Sequence, residues 1–337
     1  MLDLVISIVN HNSVAPLRDC LEQMLPDLDG LDCEIYVVDN LCAERAALML
    51  KEAFPQISVI ANASIRGFGA NHNQVLERVL LRTNYILVLN PDTLISGDTL
   101  RRLLQFMEAD KRVAICGPRF TDEHGKTRQS TCKAHTLWKD AGLLGLYISG
   151  ISRVHFDKVL AVLAQVRKLA APKTEQTPRH KEVSPQDNRI RYCETVDGAC
   201  MIIRAEALTQ IGLFDERFFL YFEERDLCLR AHAQGWKIAY LPAETVTHIG
   251  AYSTRREYHR YLTVFTQSCL LFYQKHEGPA ASAMLRALIL AAATMSFVRW
   301  GNRYLLHPSR RKEADPWLVF SATLIKMALN PSMGKLT

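Results

Sequence analysis

Apolar runs at residues 4–9, 34–38, 57–60, 85–90 and 113–116 punctuate the first third of the chain. Helical patterns at about 14–25, 43–53, 70–82 and 98–109 lie between them. An apolar run without polar alternation belongs to a strand buried on both faces. Strands separated by helices of this length imply right-handed crossovers and an α/β fold with a parallel sheet. Functional loops then gather beyond the carboxyl ends of the strands. Asn10, Asp39 and Asn90-Pro91-Asp92 all fall at such ends.

The 337 residues suffice for one large domain or two modest ones. The formal net charge of +6 is unevenly placed: residues 255–337 carry 12 Lys and Arg against 4 Asp and Glu. A basic C-terminal part on a near-neutral body points to an anionic surface as partner. No zinc finger, RNA-binding aromatic signature or basic heptad helix favours nucleic acid. The nine cysteines form no C-x-x-C pair, which fits thiols in a reducing compartment. Asp3 stands where a secretory leader would be basic, so a cytoplasmic location is expected.

Residues 213–250 hold the densest chemistry. Glu223, Glu224 and Asp226 cluster where an aromatic strand, FFLYF, is expected to give way to a helix, and His248 follows one strand later. Buried carboxylates without partners are costly, so such a cluster belongs to a site that binds a cation, orders a hydroxyl or accepts a proton. In a helix starting near 223, Glu223 and Asp226 share a face and Asp226 can pair with Arg230, while Glu224 points elsewhere. An ordinary glutamate is ionised at neutral pH, and a helix N-terminus keeps it so. The competing structural role, three acids capping a helix and pairing with arginines, is most natural for Asp226.

Other residues carry two readings each. Asp39 can accept from a ribose hydroxyl or base N–H, or cap a helix in competition with Asn40. RGFGANHN (66–73) offers Gly67 and Gly69 for close backbone approach, Asn71 and Asn73 as neutral donors, and Arg66 for a phosphate. The same stretch reads equally as a glycine turn opening a helix. Asp197 can touch a sugar hydroxyl or cap a turn. Trp236 reads as a hydrophobic anchor. The absence of G-x-G-x-x-G after the first strand argues against a dinucleotide.

The ordered succession LVISIVNHN (4–12), VVDN (37–40), RGFGANHN, LVLNPDT (87–93), GPRF (117–120), VDGACMIIR (196–204) and FDERFFLYFEERDLCLRAHAQGW (214–236) resembles inverting family 2 glycosyltransferases, especially their rhamnosyltransferase-like branch. The resemblance runs from residue 4 to about 255. It implies a GT-A type, nucleotide-binding, Rossmann-like and mostly parallel sheet with a helical C-terminal extension. Residues 1–120 would form the nucleotide-sugar half, 133–190 a variable insertion, 191–255 the acceptor half, and 256–337 a membrane-associating region. It further implies that Val9, Asn10, Asn12 and Asp39 hold the nucleoside, with Arg66, Gly67, Asn71 and Asn90 nearby. Asp92 would ligate a divalent cation, Mg2+ or Mn2+, shared with the donor diphosphate, and His248 would be the second metal-side ligand. Asp197 and Gly198 would edge the acceptor cleft. Glu224 aligns with the family's catalytic aspartate and Glu223 is the alternative base; Glu for Asp adds a methylene. Asn90 replaces the first acid of the common D-x-D, and Cys42 stands where a serine is frequent.

On this reading the substrates are a nucleotide-diphosphate sugar, dTDP-L-rhamnose by branch resemblance, and a lipid-linked or growing bacterial surface glycan. A sugar-phosphate nucleotidyltransferase would need a Gly-rich basic loop after strand one, which SIVNHNS is not. A non-catalytic scaffold would not need Asp92, Glu224 and His248. A processive synthase would need a Gln before Arg299-Trp300 and spanning segments. Helical patterns recur at about 257–276, 279–300 and 316–329. The uncharged run 287–298, bounded by Arg286 and Arg299, is short for a bilayer span but suits an interfacial helix on the inner face of the bacterial inner membrane.

Overall fold

The computed structural model describes residues 1–11, 13–41, 46–128, 131–132, 144, 148, 187–249 and 258–330. Asn12 and almost all of the expected insertion at 133–190 lie outside the described residues. The chain divides into two compact units: Met1–Ala134 with Pro185–Arg256, and His135–Ser184 with Glu257–Thr337.

The first unit begins with β1 (Leu2–Asn10), α1 (Val14–Met24), β2 (Cys33–Asp39), α2 (Ala46–Ala53), β3 (Ser58–Ala61), α3 (Phe68–Val79) and β4 (Thr83–Leu89). The four strands pair in parallel in the order β3-β2-β1-β4. β1 shows why its apolar run does not alternate. Leu4, Ile6 and Ile8 enter one core with Leu17 and Leu21 of α1, while Val5 enters the other with Val75, Leu76 and Val79 of α3.

The chain continues through β5 (Thr93–Leu94), α4 (Gly97–Ala109), β6 (Val113–Thr121), β7 (Thr127–Arg128), β8 (Thr131–Cys132), β9 (Arg191–Tyr192), β10 (Thr195–Val196) and β11 (Cys200–Arg204). Then come α5 (Ala205–Ile211), α6 (Glu223–Ala233) and β12 (Lys237–His248). Beyond β4 the sheet runs β11-β6-β12-β5 and becomes mixed, since β11 lies antiparallel to both β4 and β6. β12 returns parallel to β6. Ser96 caps α4 by accepting from the Thr99 N–H.

FFLYF is not a strand. Residues 217–222 form a loop in which Tyr221 and Phe222 both have φ of 72°, which ends any extended ladder. Two side-chain-bearing residues in the left-handed region cost about 1–3 kcal/mol each. Burial of Phe214, Phe218 and Phe222 and the clamp described below offset that strain.

In the second unit, α7 (Tyr258–His276), α8 (Gly278–Leu306) and α9 (Arg311–Leu329) pack on one another. Trp300 stacks on Trp317 at 5.4 Å, with His259 edge-on to Trp317 at 4.5 Å. α8 extends well past the uncharged run at both ends; by length and composition it is long and apolar enough to cross a membrane.

Arg204 anchors the far end of β11. Its guanidinium, buried, donates to the carbonyls of Val113, Met107 and Asp110 and to the Tyr85 hydroxyl. Removing one buried donor set leaves several acceptors without a partner. Arg204→Met is expected to destabilise the protein by about 3 kcal/mol, read as a lower urea midpoint at unchanged slope; a midpoint equal to wild type would show that the network contributes nothing net.

Candidate active site

The reversal of β11 assembles the site. Cys200 at its start pairs with Leu89 at the end of β4, so the residues preceding β11 reach the edge where the parallel strands end. The Asn90 N–H donates to the Ala199 carbonyl at 2.9 Å. Asp197 and Gly198 thus lie beside the Asn90–Asp92 turn, and Asp197 Oδ1 accepts from the Ala199 N–H at 2.9 Å.

β12 supplies the other wall. Its last residue, His248, pairs with Thr93 of β5, and the Ile249 N–H donates to the Asp92 carbonyl. His248 Nε2 comes within 3.3 Å of Asp92 Oδ1. The imidazole also stands edge-on to Phe120 at 5.5 Å. One carboxylate and one imidazole, both partly open to solvent, fit a divalent cation that keeps waters and takes further oxygens from a diphosphate. Among the described residues no cluster of three or more His, Cys, Asp or Glu forms a complete cage.

α6 carries the acids as the helical spacing requires. Glu223 and Asp226 are buried on one face, and Asp226 Oδ2 accepts from Arg230 Nε at 2.9 Å. Arg230 also donates to the carbonyls of Ile211, Gly212 and Leu213, so Asp226 belongs to a structural brace. Glu224 is half-buried instead, and a Cβ on Gly198 would lie 3.6 Å from the Glu224 Cβ and from the Phe68 ring. Gly198 therefore floors the space in front of Glu224.

The ionisation of Glu224 differs from the sequence expectation. Burial pushes its carboxyl up to about 7; Asp197 pushes the same way and the Arg225 cation opposes both. The helix N-terminus does not hold it at an ordinary value because desolvation is the larger effect. Glu223 is raised well above the usual range by burial and then by Glu224, and its Oε2 is buried with no hydrogen-bond partner among the described residues. Asp197 is raised by burial, against the pull of its Ala199 N–H bond, His248 and Arg225.

Two residues expected to face the nucleotide do not. Asn10 is fully buried, its Oδ1 accepting from the Ser13 N–H. Asn71 is fully buried as well, donating to the Arg66 and Gly67 carbonyls and accepting from Asn62 Nδ2 at 2.6 Å. Both shape loops from within. Asn40 completes the lattice, exchanging two hydrogen bonds with the Arg66 backbone and accepting from Asn62, whose Oδ1 takes a bond from Gln74. Asp39, largely buried, ends β2 in register with Asn10 and with Ala61 of β3, and its carbonyl accepts from the Asn62 N–H. Val9 is partly open one residue before that end.

The glycines of RGFGANHN allow close approach to neighbouring protein. A Cβ on Gly67 would lie 2.7 Å from the Phe219 carbonyl oxygen, and one on Gly69 would lie 2.7 Å from the Phe214 Cβ. Asn73 clamps the same loop, accepting from the Phe214 N–H and donating to its carbonyl. Arg66 meets Glu216 at 3.6 Å with both side chains well exposed. Asn62 and Gln74 carry no sequence signal, whereas Asn40 and Asn73 were visible as polar residues beside strand ends and glycines. Trp236 is half-buried, anchoring on Gln210 through its indole N–H.

The chain is 23% identical over 256 residues to an N-acetylglucosaminyl-diphospho-decaprenol L-rhamnosyltransferase of Mycobacterium tuberculosis, covering 72% of this chain and 76% of that one. It is 23% identical over 257 residues to Rhamnosyltransferase WbbL of Escherichia coli K12, covering 74% and 84%. The mannosyltransferase PcManGT of Pyrobaculum calidifontis, solved with GDP-Man and Mn2+, aligns over 100% of this chain and 90% of its own at 15% identity and a TM-score of 0.51, which marks the shared GT-A fold. The model of the glycosyltransferase-like family 2 matches residues 3–269, most of the chain, and the protein belongs to that family of glycosyltransferases.

Proposed function

We propose that the protein is an inverting, divalent-cation-dependent rhamnosyltransferase that moves L-rhamnose from dTDP-L-rhamnose onto a lipid-linked or growing bacterial surface glycan. The observation that carries the mechanism is Glu224: a carboxyl with a pKa near 7, half-open, over the Gly198 floor. The donor and acceptor classes are supported by the names of the two rhamnosyltransferase relatives, one of which acts on a diphospho-decaprenol-linked sugar.

Asp39 and Val9, one residue before the end of β1, hold the nucleoside. Asp92 and His248 hold the cation, which when bound offsets the charge of the diphosphate. Asp197 orients an acceptor hydroxyl in front of Glu224. Glu224 takes that hydroxyl's proton as the oxygen bonds to the anomeric carbon. The bond from that carbon to the diphosphate oxygen breaks, and its electron pair leaves with the nucleoside diphosphate. One displacement inverts the anomeric configuration.

The second unit supplies a membrane-facing surface. Ala287, Ala291, Met295, Val298 and Leu305 of α8 are exposed and recur at helical spacing, while Leu285, Ile289, Ala292 and Trp300 are buried. Arg299, Arg310 and Arg311 are exposed nearby in the chain. One apolar face with flanking cations suits a helix lying in the interface. On this reading the protein is peripheral on the cytoplasmic face of the inner membrane, where a lipid-linked acceptor is presented.

Glu224→Gln is expected to lower transfer by about 100- to 10,000-fold with donor affinity unchanged. Wild-type kcat/KM should fall about tenfold per pH unit below about 7, because only the charged carboxylate accepts the proton; a flat profile down to pH 5 would remove Glu224 from the role. If Glu223→Gln is instead the crippled variant, the base is Glu223.

Asp92→Ala and His248→Ala should abolish Mn2+-dependent binding of dTDP while retaining cooperative melting. dTDP-L-rhamnose with Mn2+ should raise the melting temperature more than UDP- or GDP-sugars do. Full activity of Asp92→Ala in excess chelator would end the metal assignment, and a larger shift with another nucleotide sugar would replace the donor.

Wild-type protein should pellet with phosphatidylglycerol vesicles and pellet less at high salt. The double variant Met295→Glu/Val298→Glu should lose most of that binding. Equal pelleting by the variant would move the contact away from α8.

A further inference from the structure

Phe68 is the aromatic member of RGFGANHN and opens α3 between two glycines. Its N–H donates to the Phe219 carbonyl at 2.7 Å. His72, one turn further on, packs against the Phe68 ring at 4.5 Å and 62°, and Phe214 stands edge-on to it at 6.2 Å and 83°. His72 is itself fully buried and shares a 2.8 Å hydrogen bond with Ser7 Oγ. Burial lowers its pKa to about 3, so the imidazole is a neutral and fixed support. The Phe68 ring is thus braced by two aromatic neighbours, yet the residue is only half-buried. Its Cε1 and Cζ border the site. A Cβ on Gly198 would lie 3.6 Å from each of them and 3.6 Å from the Glu224 Cβ. One methyl-sized space therefore touches an aromatic ring, a glutamate and a residue without a side chain.

A rigid aromatic ring beside a carboxylate is the pairing that recognises a pyranose. The equatorial hydroxyls of such a sugar radiate in the plane of its ring and bond to polar groups. Its axial C–H bonds make each face apolar, and an aromatic surface packed there removes apolar area from water. We propose that Phe68 is a specificity-determining residue of the acceptor site, the aromatic surface on which the C–H face of the acceptor pyranose packs while its hydroxyl reaches Glu224. The proposal rests on the reading of Glu224 as the base. In an in-line displacement the base and the acceptor lie on one side of the anomeric carbon and the diphosphate lies on the other, so a ring beside the Glu224 Cβ belongs to the acceptor. Gly198 then serves by placing no side chain between that ring and the base.

The first arm of the test needs no turnover and uses methyl N-acetyl-β-D-glucosaminide as probe, with and without dTDP and Mn2+. In protein carrying ring-13C phenylalanine, the Phe68 signals are those missing from Phe68→Leu. They are expected to move as the glycoside is added, and the sugar's own C–H protons to shift upfield as they enter the ring's shielding zone. Phe68 signals that stay fixed up to about 100 mM glycoside overturn the proposal. The second arm is transfer from dTDP-L-rhamnose to an N-acetylglucosaminyl-diphospho-prenol. Phe68→Leu is expected to raise the acceptor KM about five- to tenfold, with the donor KM unchanged and kcat much less affected. An unmoved acceptor KM, or a rise confined to the donor KM, overturns the proposal. Should Phe68→Leu fail to melt cooperatively, Gly198→Ala takes its place. The added methyl meets its neighbours at ordinary contact distance, so the fold stands while the same space narrows, and the acceptor KM should rise likewise. Glu224→Gln with full activity would sink the base assignment while the Phe68 signals still respond to the glycoside. A normal acceptor KM in Phe68→Leu beside an inactive Glu224→Gln would sink the Phe68 assignment alone.

Discussion

The antiparallel entry of β11 between β4 and β6 is the constraint on which the site depends. A parallel strand there would deliver its first residues to the opposite edge of the sheet. Because β11 is reversed, its leading residues Asp197 and Gly198 reach the edge where β1, β2 and β4 end. α6 then needs only to present its first turn to that edge, and β12 only to run its length, for Glu224 and His248 to arrive from different elements. Arg204 ties the distal end of the same strand to three backbone carbonyls and a tyrosine hydroxyl. The strand that orders the chemistry is fixed at both ends.

Holding the acids there has an energetic cost. Glu223 is buried with an oxygen that has no hydrogen-bond partner among the described residues, Glu224 is desolvated, and the two residues before them are in left-handed conformation. Such features persist only when surrounding structure over-determines them. The Asn73 clamp on Phe214, the close packing of Gly67 and Gly69 on the 214–219 loop, and the Arg230 brace under Asp226 supply that restraint. Local strain and acidic crowding are concentrated at the first turn of α6, and the packed loop behind it carries the compensation.

Much of this was legible in the sequence, for physical reasons that differ by residue. The β1 and β4 runs read as doubly buried strands because nothing in them alternates. The pairing of Asp226 with Arg230 followed from a spacing of four. The family resemblance carried the positions of Asp92, His248 and Glu224. The direction of β11 was not legible, since CMIIR is buried on both faces and an apolar run has no polarity. FFLYF looked like a strand because aromatic residues favour strands, yet tertiary burial of its rings won over local preference. The charge state of Glu224 was misjudged because desolvation depends on neighbours distant in sequence. Asn10, at a strand end, and Asn71, beside the glycines of RGFGANHN, looked like ligand donors; here the loops themselves needed the bonds.

The lattice of Asn40, Asn62, Asn71 and Gln74 has a consequence for how the enzyme responds to its surroundings. Its side chains are all carboxamides, which neither gain nor lose protons between acid and alkaline conditions. The loop lattice beside the end of β2 is therefore made of bonds indifferent to acidity, while α6 carries a carboxyl, Glu224, pushed up to about 7. A shift in the surrounding acidity would alter the charge on Glu224 without reshaping that lattice. The lattice and the acidic turn of α6 are built from two different kinds of side chain, and only the second responds to pH near neutrality.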